Sequence, residues 1–391
     1  MRVLIANYEF PPVGGGASKV SYELAKKLVD KGHHVVVLTS RFGNLPRLHK
    51  QDGIIIHRVW SWRKGIHDSG LRGAFTYLLA ALPVLRRILK EEQIDVVHYF
   101  FGLPTGLLSL YSRGIAGKPY IVSLRGSDVP LYDRDSRKLM ILHRVTRPIS
   151  HQIWRSASSV FAVSHGLRKL AQESFPDVTV GVIHNGVDVI DSAMLNGRLQ
   201  EDSPLRLVCV SRLIPRKGIA DLLQALTLIR NVECELTVVG EGPIVGELEG
   251  LAAELDILET VRFVGYKSAE EMKQYYIETD AFILPTRSDA FANVILEAMA
   301  AALPVIATDV GGVAEAVVDG ETGIVVEPRR PDQLATAIQV LANDRALAEQ
   351  YGRAGRERVR RFFTWAINSD RYIEAYSEAC ETNVGRLYDA T

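Results

Sequence analysis

Short apolar segments that alternate with glycine turns and helix-forming segments are the feature that most limits how this chain can fold. RVLIAN at residues 2–7 is rich in β-forming residues, the loop EFPPVGGGAS follows, and SKVSYELAKKLVDKG then has the spacing of an amphipathic helix. A second β-rich segment, HVVVLTS, completes a β-α-β unit. The same order returns at residues 205–226, LRLVCVSRLIPRKGIADLLQAL, and at 235–243, ELTVVGEGP. Strands that alternate with helices predict parallel sheets, so we expect two Rossmann-like α/β domains that face each other across a cleft.

Length and composition agree with two domains in one soluble protein. At 391 residues the chain exceeds what one hydrophobic core usually supports, and 47% hydrophobic with 24% charged residues is an ordinary globular composition. The polar stretch 189–204 predicts a linker, so we expect domains over 1–188 and 205–363. No apolar run reaches the roughly 18 residues of a membrane span, the N-terminus lacks the features of a signal peptide, and the three cysteines form no zinc motif. These features favour a cytoplasmic protein.

Charge is distributed unevenly between the two halves. Residues 1–190 contain 26 Lys and Arg against 14 Asp and Glu, whereas the remainder contains 20 against 32. Two interpretations stay open: the halves attract each other through complementary faces, or the basic half faces an anionic acceptor or membrane surface. The basic segment 134–155 fits a helix that lies on a membrane. Its apolar stripe from Leu142 to Ile153 is more typical of domain core, and Pro148 predicts a break or kink.

The stretch 281–312 contains the strongest candidate site. AFILP predicts a buried strand, TRSDA an acidic loop, and FANVILEAMAAA a largely apolar helix. The first N–H groups of such a helix lack partners and the helix dipole is positive there, so the junction can bind an anion or a hydroxyl group. Asp289 lies in the loop and Glu297 in the helix, with seven residues between them. A carboxylate in so apolar a helix needs a partner, for which sugar hydroxyls are one candidate.

Other strand-to-helix junctions predict binding of a diphosphate. Arg212 and Lys217 flank the short loop after the strand LRLVCV, and their charges suit phosphate oxygens. The glycines at 14–16, after the first strand, allow a phosphate to approach the backbone, with a helix N-terminus behind them. Gly240 and Gly242 form a similar turn after ELTVV.

These motifs together resemble the retaining glycosyltransferases of family 4, which have the GT-B fold. The D-x7-E spacing with FANVILEAMA and ALPVIATDVGG, the loop PPVGGGAS, the SRL…KG segment and HNGVD occur in the family's order and span nearly the whole chain. The chain has Asp289 where the family pattern prefers Glu. Asn185-Gly186 within HNGVD predicts a tight turn with positive φ. In GT-B proteins the last helix returns to the first domain, and we expect a helix over about 364–391 to do so.

The resemblance implies a role for each candidate residue on the donor side. Asp289 would contact the donor hexose and Glu297 the ribose, and these are two of the four catalytic candidates. Arg212 and Lys217 are the other two, and they would bind the diphosphate and stabilise it as it leaves. The remaining donor-binding candidates are Gly15, Gly16, Gly240, Gly242, Tyr266, Phe291, Ala292, Asn293 and Val294.

The acceptor-side candidates are His98, Arg125 and Asp128. His98 ends a predicted strand, where open α/β sheets place ligands, although a structural role is as common for a lone histidine. Family members often have His-Gly at the turn where this chain has RGSD, so Arg125 replaces a histidine that is commonly assigned to the acceptor. An arginine at this position can orient a hydroxyl or a phosphate.

The resemblance implies transfer of a hexose from a UDP- or GDP-sugar to an acceptor hydroxyl, with retention, in the biosynthesis of a cell-surface polysaccharide or glycolipid. Asp133 and Asp135 form a D-x-D triplet of the kind that binds metal in GT-A enzymes, but nothing around them resembles such a site. No metal or other cofactor is therefore expected. The expected partners are the nucleotide sugar, a sugar or lipid-linked acceptor and peripheral contact with an anionic membrane, with no nucleic acid. A nucleotide-sugar-binding protein without turnover and a sugar-nucleotide epimerase remain alternatives.

Overall fold

The chain forms two compact units. The computed structural model describes residues 1–66, 69–133, 136–190 and 203–388. One unit comprises Met1–Asn185 with Trp365–Thr391, and the other comprises Gly186–Thr364. Most of the predicted linker lies outside the described residues, and so does Asp135.

The first unit is built on one sheet. Its strands are β1 (Arg2–Ala6), β2 (His34–Arg41), β3 (Leu48–Gln51), β4 (Ile54–Trp60), β5 (Val96–Phe100), β6 (Tyr120–Leu124), β7 (Ser159–Ala162) and β8 (Val180–Val182). They lie in the order β3-β4-β2-β1-β5-β6-β7-β8, and β3 pairs antiparallel with β4 while the other described pairs are parallel. The helices between them are α1 (Gly16–Asp30), α2 (Gly70–Glu91), α3 (Ser109–Ser112), α4 (Arg137–Ser156) and α5 (His165–Ser174).

The second unit is built on a parallel sheet. Its strands are β9 (Leu205–Val210), β10 (Cys234–Val239), β11 (Val261–Phe263), β12 (Ala281–Leu284), β13 (Val305–Thr308) and β14 (Gly323–Val326). Their order is β11-β10-β9-β12-β13-β14. The helices are α6 (Ile219–Leu228), α7 (Val245–Glu254), α8 (Ala269–Glu278), α9 (Asn293–Ala300), α10 (Val313–Ala316), α11 (Pro331–Asn343) and α12 (Arg345–Phe362). The predicted α/β class with two Rossmann-like domains is thus confirmed.

Helices cover both faces of the first sheet, and β5 shows which helix lies on which face. His98 points toward the C-terminal helix α13 (Trp365–Tyr388), because its Nδ1 lies 2.7 Å from the Tyr376 hydroxyl. Tyr99 points to the opposite face, as alternation along a strand requires, and its hydroxyl lies 2.7 Å from Ser112 Oγ of α3. α1 packs beside α13, whereas α2 and α4 both contact the 3₁₀ turn Thr105–Leu108 that leads into α3. One face is therefore covered by α1 and α13, and the other by α2, α3 and α4.

Local sequence signals succeed at some positions and fail at others. Pro331 occupies the first turn of α11, and Ser268 with Glu271 forms a reciprocal capping box at the start of α8. α4 continues through Pro148, so the helix is not broken there. Neither Asn185 nor Gly186 has positive φ, so the predicted turn is wrong. No helix among the described residues is both long enough and apolar enough to cross a bilayer.

Candidate active site

Four loops at the carboxyl end of the second sheet hold most of the predicted donor-side residues. They follow β9, β10, β12 and β13, which lie in the order β10-β9-β12-β13 and are parallel. The loops span residues 211–218, 240–244, 285–292 and 309–312. Because the strands are parallel, all four loops emerge at one edge of the sheet, where open α/β sheets bind their ligands.

Two predicted donor-binding glycines bring the loops after β9 and β10 together. A Cβ on Gly240 would lie 1.9 Å from the Ser211 carbonyl oxygen, and one on Gly242 would lie 2.0 Å from the Leu213 carbonyl oxygen. Gly240 also has φ +135, a conformation that other residues rarely adopt. Packing alone therefore requires glycine at both positions. Their contact with a donor stays a prediction.

Two more glycines connect the loop after β12 to its neighbours. A Cβ on Gly218 would lie 2.1 Å from the Pro285 carbonyl oxygen, and one on Gly311 would lie 1.9 Å from the Asp289 carbonyl oxygen. Both glycines have positive φ, +68 and +54. The backbone of Asp289 is therefore packed directly against the loop after β13, which restricts where its carboxylate can lie.

Lys217 and Asp289 form an ion pair between the loops after β9 and β12. Lys217 Nζ donates to Asp289 Oδ2, and the two side chains are only 13% and 16% exposed. The sequence predicts a phosphate as the partner of Lys217, and the family resemblance implies a hexose as the partner of Asp289. In the structure the two side chains instead pair with each other. A phosphate that binds Lys217 therefore has to compete with the Asp289 carboxylate.

Arg212 lies in the same loop as Lys217 but in a different environment. It is exposed and follows β9 by two residues. Its guanidinium forms no hydrogen bond or ion pair with any other residue that the structure describes. An exposed guanidinium in the same loop as a half-buried ammonium group suits an incoming phosphate, since the guanidinium can form bidentate bonds with the phosphate oxygens.

A second ion pair, which the sequence analysis missed, holds the loop after β12 in place. Arg287 Nε and Nη2 donate to Asp221 Oδ2 and Oδ1 at 2.9 and 2.6 Å, a bidentate geometry. The backbone N–H of Arg287 also donates to the Arg216 carbonyl at 2.8 Å. Asp221 in the first turn of α6 was the one sequence signal for this ion pair, and its partner Arg287 is 66 residues away in the sequence.

Glu297 lies half-buried on α9 and has a partner within the same unit. The Tyr276 hydroxyl on α8 donates to Glu297 Oε2 at 3.0 Å. Burial, and next the negative charge of Glu297, raise the pKa of Tyr276 well above its ordinary value, so the phenol stays protonated and remains a donor. Tyr276 thus supplies a polar partner of the kind that a carboxylate in this apolar helix needs. The contact of Glu297 with a ribose stays a prediction.

At the start of α9, main-chain groups rather than side chains are available to a ligand. Ala292 is the N-cap and forms no side-chain cap. Phe291 is 7% exposed and packs against Phe363, with ring centroids 5.9 Å apart. The predicted donor contact of this segment would therefore come from backbone N–H groups in the first turn, which begins with Asn293 and Val294.

Tyr266 is the most exposed aromatic candidate, with 65% of the residue accessible. It follows Gly265, whose carbonyl accepts the Gly240 N–H at 2.9 Å. The residue therefore follows a backbone segment that is bonded to the loop after β10.

In the first unit, the glycine loop after β1 leads directly into α1. Gly15 is the N-cap, and both Gly15 and Gly16 are exposed. The Glu9 carboxylate accepts the Gly15 N–H at 3.4 Å and lies 3.9 Å from the buried guanidinium of Arg63. A negatively charged group thus lies where the sequence predicts a phosphate.

His98 lies in the core of the first unit. It is 0% exposed, its Nδ1 lies 2.7 Å from the Tyr376 hydroxyl, and its Nε2 lies 2.7 Å from Ser123 Oγ. Burial, and then the charge of Arg125, hold the pKa of His98 well below its ordinary value, so the imidazole is neutral. With no exposed surface and both nitrogens engaged, the ring is unavailable to an acceptor. The structural role that the sequence left open fits this geometry.

Arg125 is half-buried and held by three groups of the same unit. Its guanidinium donates to Asn185 Oδ1 at 2.7 Å and to the Tyr372 hydroxyl at 3.1 Å, and it lies 4.4 Å from the centre of the Phe100 ring. These contacts fix the side chain in one orientation. Its predicted action on an acceptor stays a prediction.

Asp128 organises the backbone around it and is 3% exposed. Its carboxylate accepts the N–H groups of Gly102, Arg125 and Gly126 at 2.7, 2.9 and 3.0 Å. Burial raises the pKa of Asp128 above its ordinary value, although these N–H groups counteract part of the effect. The geometry assigns Asp128 to the support of the loop rather than to direct contact with an acceptor.

A pocket of about 420 Å³, which the sequence analysis did not identify, opens at the carboxyl ends of β2 and β4. The residues that line it are Arg41, Phe42, Gly43, Trp60, Ser61, Trp62 and Arg63. Trp60 and Trp62 are 53% and 59% exposed. The segment is connected to the glycine loop, because the Ile66 carbonyl accepts the Gly14 N–H at 2.9 Å. The pocket therefore combines two accessible indole rings with basic side chains next to that loop.

Two family models match most of the chain. The model described as Glycosyltransferase Family 4 matches residues 14–190, and the model described as Glycosyl transferases group 1 matches residues 196–358. A glycosyltransferase of Methanocaldococcus jannaschii is 26% identical over 100% of this chain and 98% of its own length. The GDP-mannose-dependent alpha-(1-6)-phosphatidylinositol monomannoside mannosyltransferase of Mycobacterium tuberculosis is 29% identical over 93% of this chain and 95% of its own. Glycogen synthase of the same organism is 28% identical, with coverages of 97% and 95%.

Solved structures resemble the chain over its full length. Sucrose-phosphate synthase from Thermosynechococcus elongatus superimposes with a TM-score of 0.82 at 23% identity and covers 100% of both chains. HepE from Anabaena, solved with UDP and glucose, superimposes with a TM-score of 0.75 at 20% identity, covering 96% of this chain and 99% of its own. These similarities confirm the predicted GT-B fold.

Proposed function

This chain belongs to the glycosyltransferases of group 1 and family 4, and we propose that it transfers a hexose from a nucleotide sugar to an acceptor hydroxyl with retention. The observation that carries the proposal is the clustering of Arg212, Lys217 and Asp289 on adjacent loops at the carboxyl end of the second sheet. Two cations suit a diphosphate, and a neighbouring carboxylate suits the hydroxyl groups of the sugar attached to it.

In the proposed reaction the bond between the sugar C1 and the diphosphate oxygen breaks, and C1 forms a bond with the acceptor oxygen. The acceptor proton passes to a phosphate oxygen of the leaving group. Arg212 and Lys217 offset the negative charge that develops on the diphosphate. The loss of one preorganised group of this kind lowers the rate by about 10²–10³.

We further propose that the transfer needs no metal ion. The two cations on the loop after β9 take the part that a divalent cation plays in other phosphate sites. The expected result is that activity persists in excess chelator. Strict dependence on Mn²⁺ or Mg²⁺ would contradict this part of the proposal.

The proposed donor is a UDP- or GDP-sugar. A relative named as GDP-mannose-dependent and a structure solved with UDP motivate these two nucleotides. Tyr266, exposed next to the loop after β10, is the proposed stacking partner of the base.

The proposed acceptor is a sugar of a growing polysaccharide or of a glycolipid. Two observations support it: the pocket with the exposed rings of Trp60 and Trp62, whose flat apolar surfaces can pack on sugar rings, and the relatives named after glycogen and phosphatidylinositol mannoside. Because the first half of the chain is basic, we also propose that the protein contacts an anionic membrane surface peripherally.

Calorimetric titration with UDP, GDP and ADP in chelator tests the donor site. We expect one nucleotide to bind wild type tightly and Arg212→Ala at least about tenfold more weakly, because one charge-assisted bond of about 1.5–3 kcal/mol is lost. Arg353→Ala is the matched control, since Arg353 is an exposed arginine of the same unit on α12. Equal affinities of wild type and Arg212→Ala would refute the diphosphate assignment.

Product analysis separates the proposed reaction from its alternatives. A new glycosidic bond supports the transferase, an unchanged donor points to a binding protein, and an altered sugar on the nucleotide points to an epimerase.

A further inference from the structure

We propose that the outer surface formed by α2, residues 105–118 and α4 docks onto an anionic lipid bilayer. This surface is called the α2–α4 face below. The inference rests on the membrane contact included in the proposed function and specifies where the contact is made. Its evidence is geometric and does not depend on turnover.

The described residues expose large apolar side chains mainly in one part of the chain. Of the twenty large hydrophobic residues that are exposed, fourteen lie between Leu48 and Val145. On α2, four of them lie within an arc of about 80° at 100° per residue. They are Leu71, Phe75, Leu79 and Leu82, which are 68%, 62%, 62% and 42% exposed. The N-terminal part of α2, as far as Leu82, thus presents an apolar stripe on the side away from the buried Tyr77 and Ala81.

The neighbouring elements on the same face of the sheet extend this apolar surface. Leu110 and Ile115 are 47% and 75% exposed in the segment 105–118. On α4, Met140, Ile141 and Val145 are 47%, 56% and 73% exposed. The sequence analysis favoured domain core for the α4 stripe, and for Val145 that prediction is wrong. Ile153 of the same stripe is buried as predicted, but the buried side of α4, which also includes His143, Ser150 and Trp154, is rotated away from Val145.

The charges of the α2–α4 face are almost all positive. α2, residues 105–118 and α4 contain one acid, Glu91 at the C-terminal end of α2, whose carboxylate lies 4.0 Å from Arg87 Nε. Their basic residues are Arg72, Arg86, Arg87, Lys90, Arg113, Lys118, Arg137, Lys138, Arg144, Arg147 and Arg155. Of these, Arg113 donates to Asn383 Oδ1 of α13, so ten cations remain for this face. On the opposite face, α1 contains three Lys and Arg against two Asp and Glu, and α13 contains two against four. The basic excess of the first unit is therefore concentrated on the face that also exposes the apolar side chains.

An anionic bilayer is the occupant that matches both properties. Apolar side chains can enter the acyl region while Lys and Arg extend to the headgroups, where an anionic leaflet attracts them. A second copy of the chain is a poor match, because two faces that each carry ten cations against one anion repel each other. A nucleic acid matches the charge but leaves the Leu, Ile and Met side chains in water.

This docking also places the proposed acceptor pocket close to the lipid. The main-chain N–H of Trp62, which lines the pocket, donates to Thr76 Oγ1 of α2 at 2.9 Å. The pocket is therefore next to the N-terminal part of α2. A sugar carried on a membrane lipid could reach it without leaving the bilayer.

Co-sedimentation with vesicles tests the proposal. The vesicles contain phosphatidylcholine alone or a mixture with phosphatidylglycerol, and binding is measured at low and at high salt. We expect wild type to bind the anionic vesicles and high salt to weaken the binding. We expect the triple variant Leu71→Gln, Phe75→Gln, Leu79→Gln to bind at least about tenfold more weakly, since it removes most of the apolar stripe.

Control variants show whether a loss of vesicle binding comes from this surface or from misfolding. The matched variant Leu228→Gln, Leu258→Gln, Val340→Gln removes three exposed apolar side chains of the second unit and is expected to bind vesicles like wild type. Both triple variants are expected to bind nucleotide like wild type, so loss of vesicle binding does not reflect misfolding. A failed nucleotide titration with intact vesicle binding would refute the donor assignment and leave this inference standing.

Three results would overturn the inference. The first is that wild type fails to bind anionic vesicles at low salt, and the second is that the α2 triple variant binds as tightly as wild type. The third is that wild type is a dimer that dissociates when Leu71, Phe75 and Leu79 are replaced, which would assign the face to self-association. Light scattering of wild type and variant distinguishes this last case.

Discussion

Replacement of Asp289 by Asn should strengthen the binding of a free nucleoside diphosphate. In the structure, Lys217 is ion-paired with Asp289, so a diphosphate that binds Lys217 must first displace the carboxylate. Asn is nearly isosteric but uncharged, and therefore competes far less for the ammonium group. The same change should reduce hexose transfer, because the proposed partner of the sugar hydroxyls loses its charge.

The expected gain follows from the burial of the pair. Exposed ion pairs contribute about 0.2–1 kcal/mol, whereas the loss of one partner from a fully buried pair costs about 3–5 kcal/mol. Side chains that are 13% and 16% exposed lie between these limits. If the diphosphate no longer has to displace an ion pair worth about 1–2 kcal/mol, Asp289→Asn should bind it about 5- to 30-fold more tightly than wild type.

Calorimetric titration of wild type, Asp289→Asn, Lys217→Met and the double variant with the preferred nucleoside diphosphate provides the measurement. Asp289→Asn should tighten binding in the wild-type background and leave it almost unchanged in the Lys217→Met background. This double-mutant cycle isolates the coupling between the two side chains. The titration uses the diphosphate without its sugar, so the loss of a hexose contact does not mask the gain.

Weaker or unchanged binding by Asp289→Asn would refute the reasoning, because the carboxylate would then not compete with phosphate for Lys217. An equal gain in the Lys217→Met background would also contradict it. In that case the effect would reflect the general negative charge of Asp289 and not its pairing with Lys217.

Two further predictions concern stability. Gly240→Ala should destabilise the fold by at least about 3 kcal/mol, because the new Cβ would lie 1.9 Å from the Ser211 carbonyl oxygen and φ at this position is +135. Gly246→Ala should instead stabilise the fold by up to about 1 kcal/mol, because Gly246 lies on α7 with open space around it. Denaturant unfolding checks both, and equal effects would contradict the packing argument. Burial lowers the pKa of His98, so the folded state keeps it neutral while the unfolded state binds a proton below about pH 6.5. The free energy of unfolding should therefore fall from pH 7 to pH 5, with up to about 1.4 kcal/mol per pH unit from this group. His98→Gln should remove that part of the slope and the exposed control His49→Gln should keep it; identical slopes in the two variants would contradict the assignment.

The sequence predicts the elements of this fold well because their signals are local. Alternating strands and helices, the capping box that begins at Ser268 and the position of Pro331 each depend on neighbours within a few residues. The turn predicted at Asn185-Gly186 fails because a distant group intervenes. Asn185 accepts a hydrogen bond from Arg125, 60 residues away, and such a contact overrides a turn preference.

The contacts of the candidate site are harder to predict, for the same physical reason. The motifs indicate Lys217 and Asp289 as binding residues, but not that the two side chains pair across 72 residues. Likewise, the sequence indicates that Gly240 and Gly242 allow a ligand to approach the backbone. In the structure the backbone of the adjacent loop packs against both glycines. A local pattern shows which groups are present, and only the sheet order shows which of them meet.

Several predicted ligand-binding groups already have partners inside their own unit. Lys217 has Asp289, Glu297 has Tyr276, and the Gly15 N–H has the Glu9 carboxylate. A half-buried polar group without a hydrogen-bond partner raises the free energy of the folded state, so these contacts keep the loops in place. Donor binding then exchanges one set of hydrogen bonds and ion pairs for another, and its net free energy is smaller than the sum of the new contacts. Among the described residues Arg212 is exposed and has no such partner, so it can bind a phosphate without first breaking an existing contact. Replacement of Arg212 should therefore weaken nucleotide binding, whereas replacement of Asp289 should strengthen it.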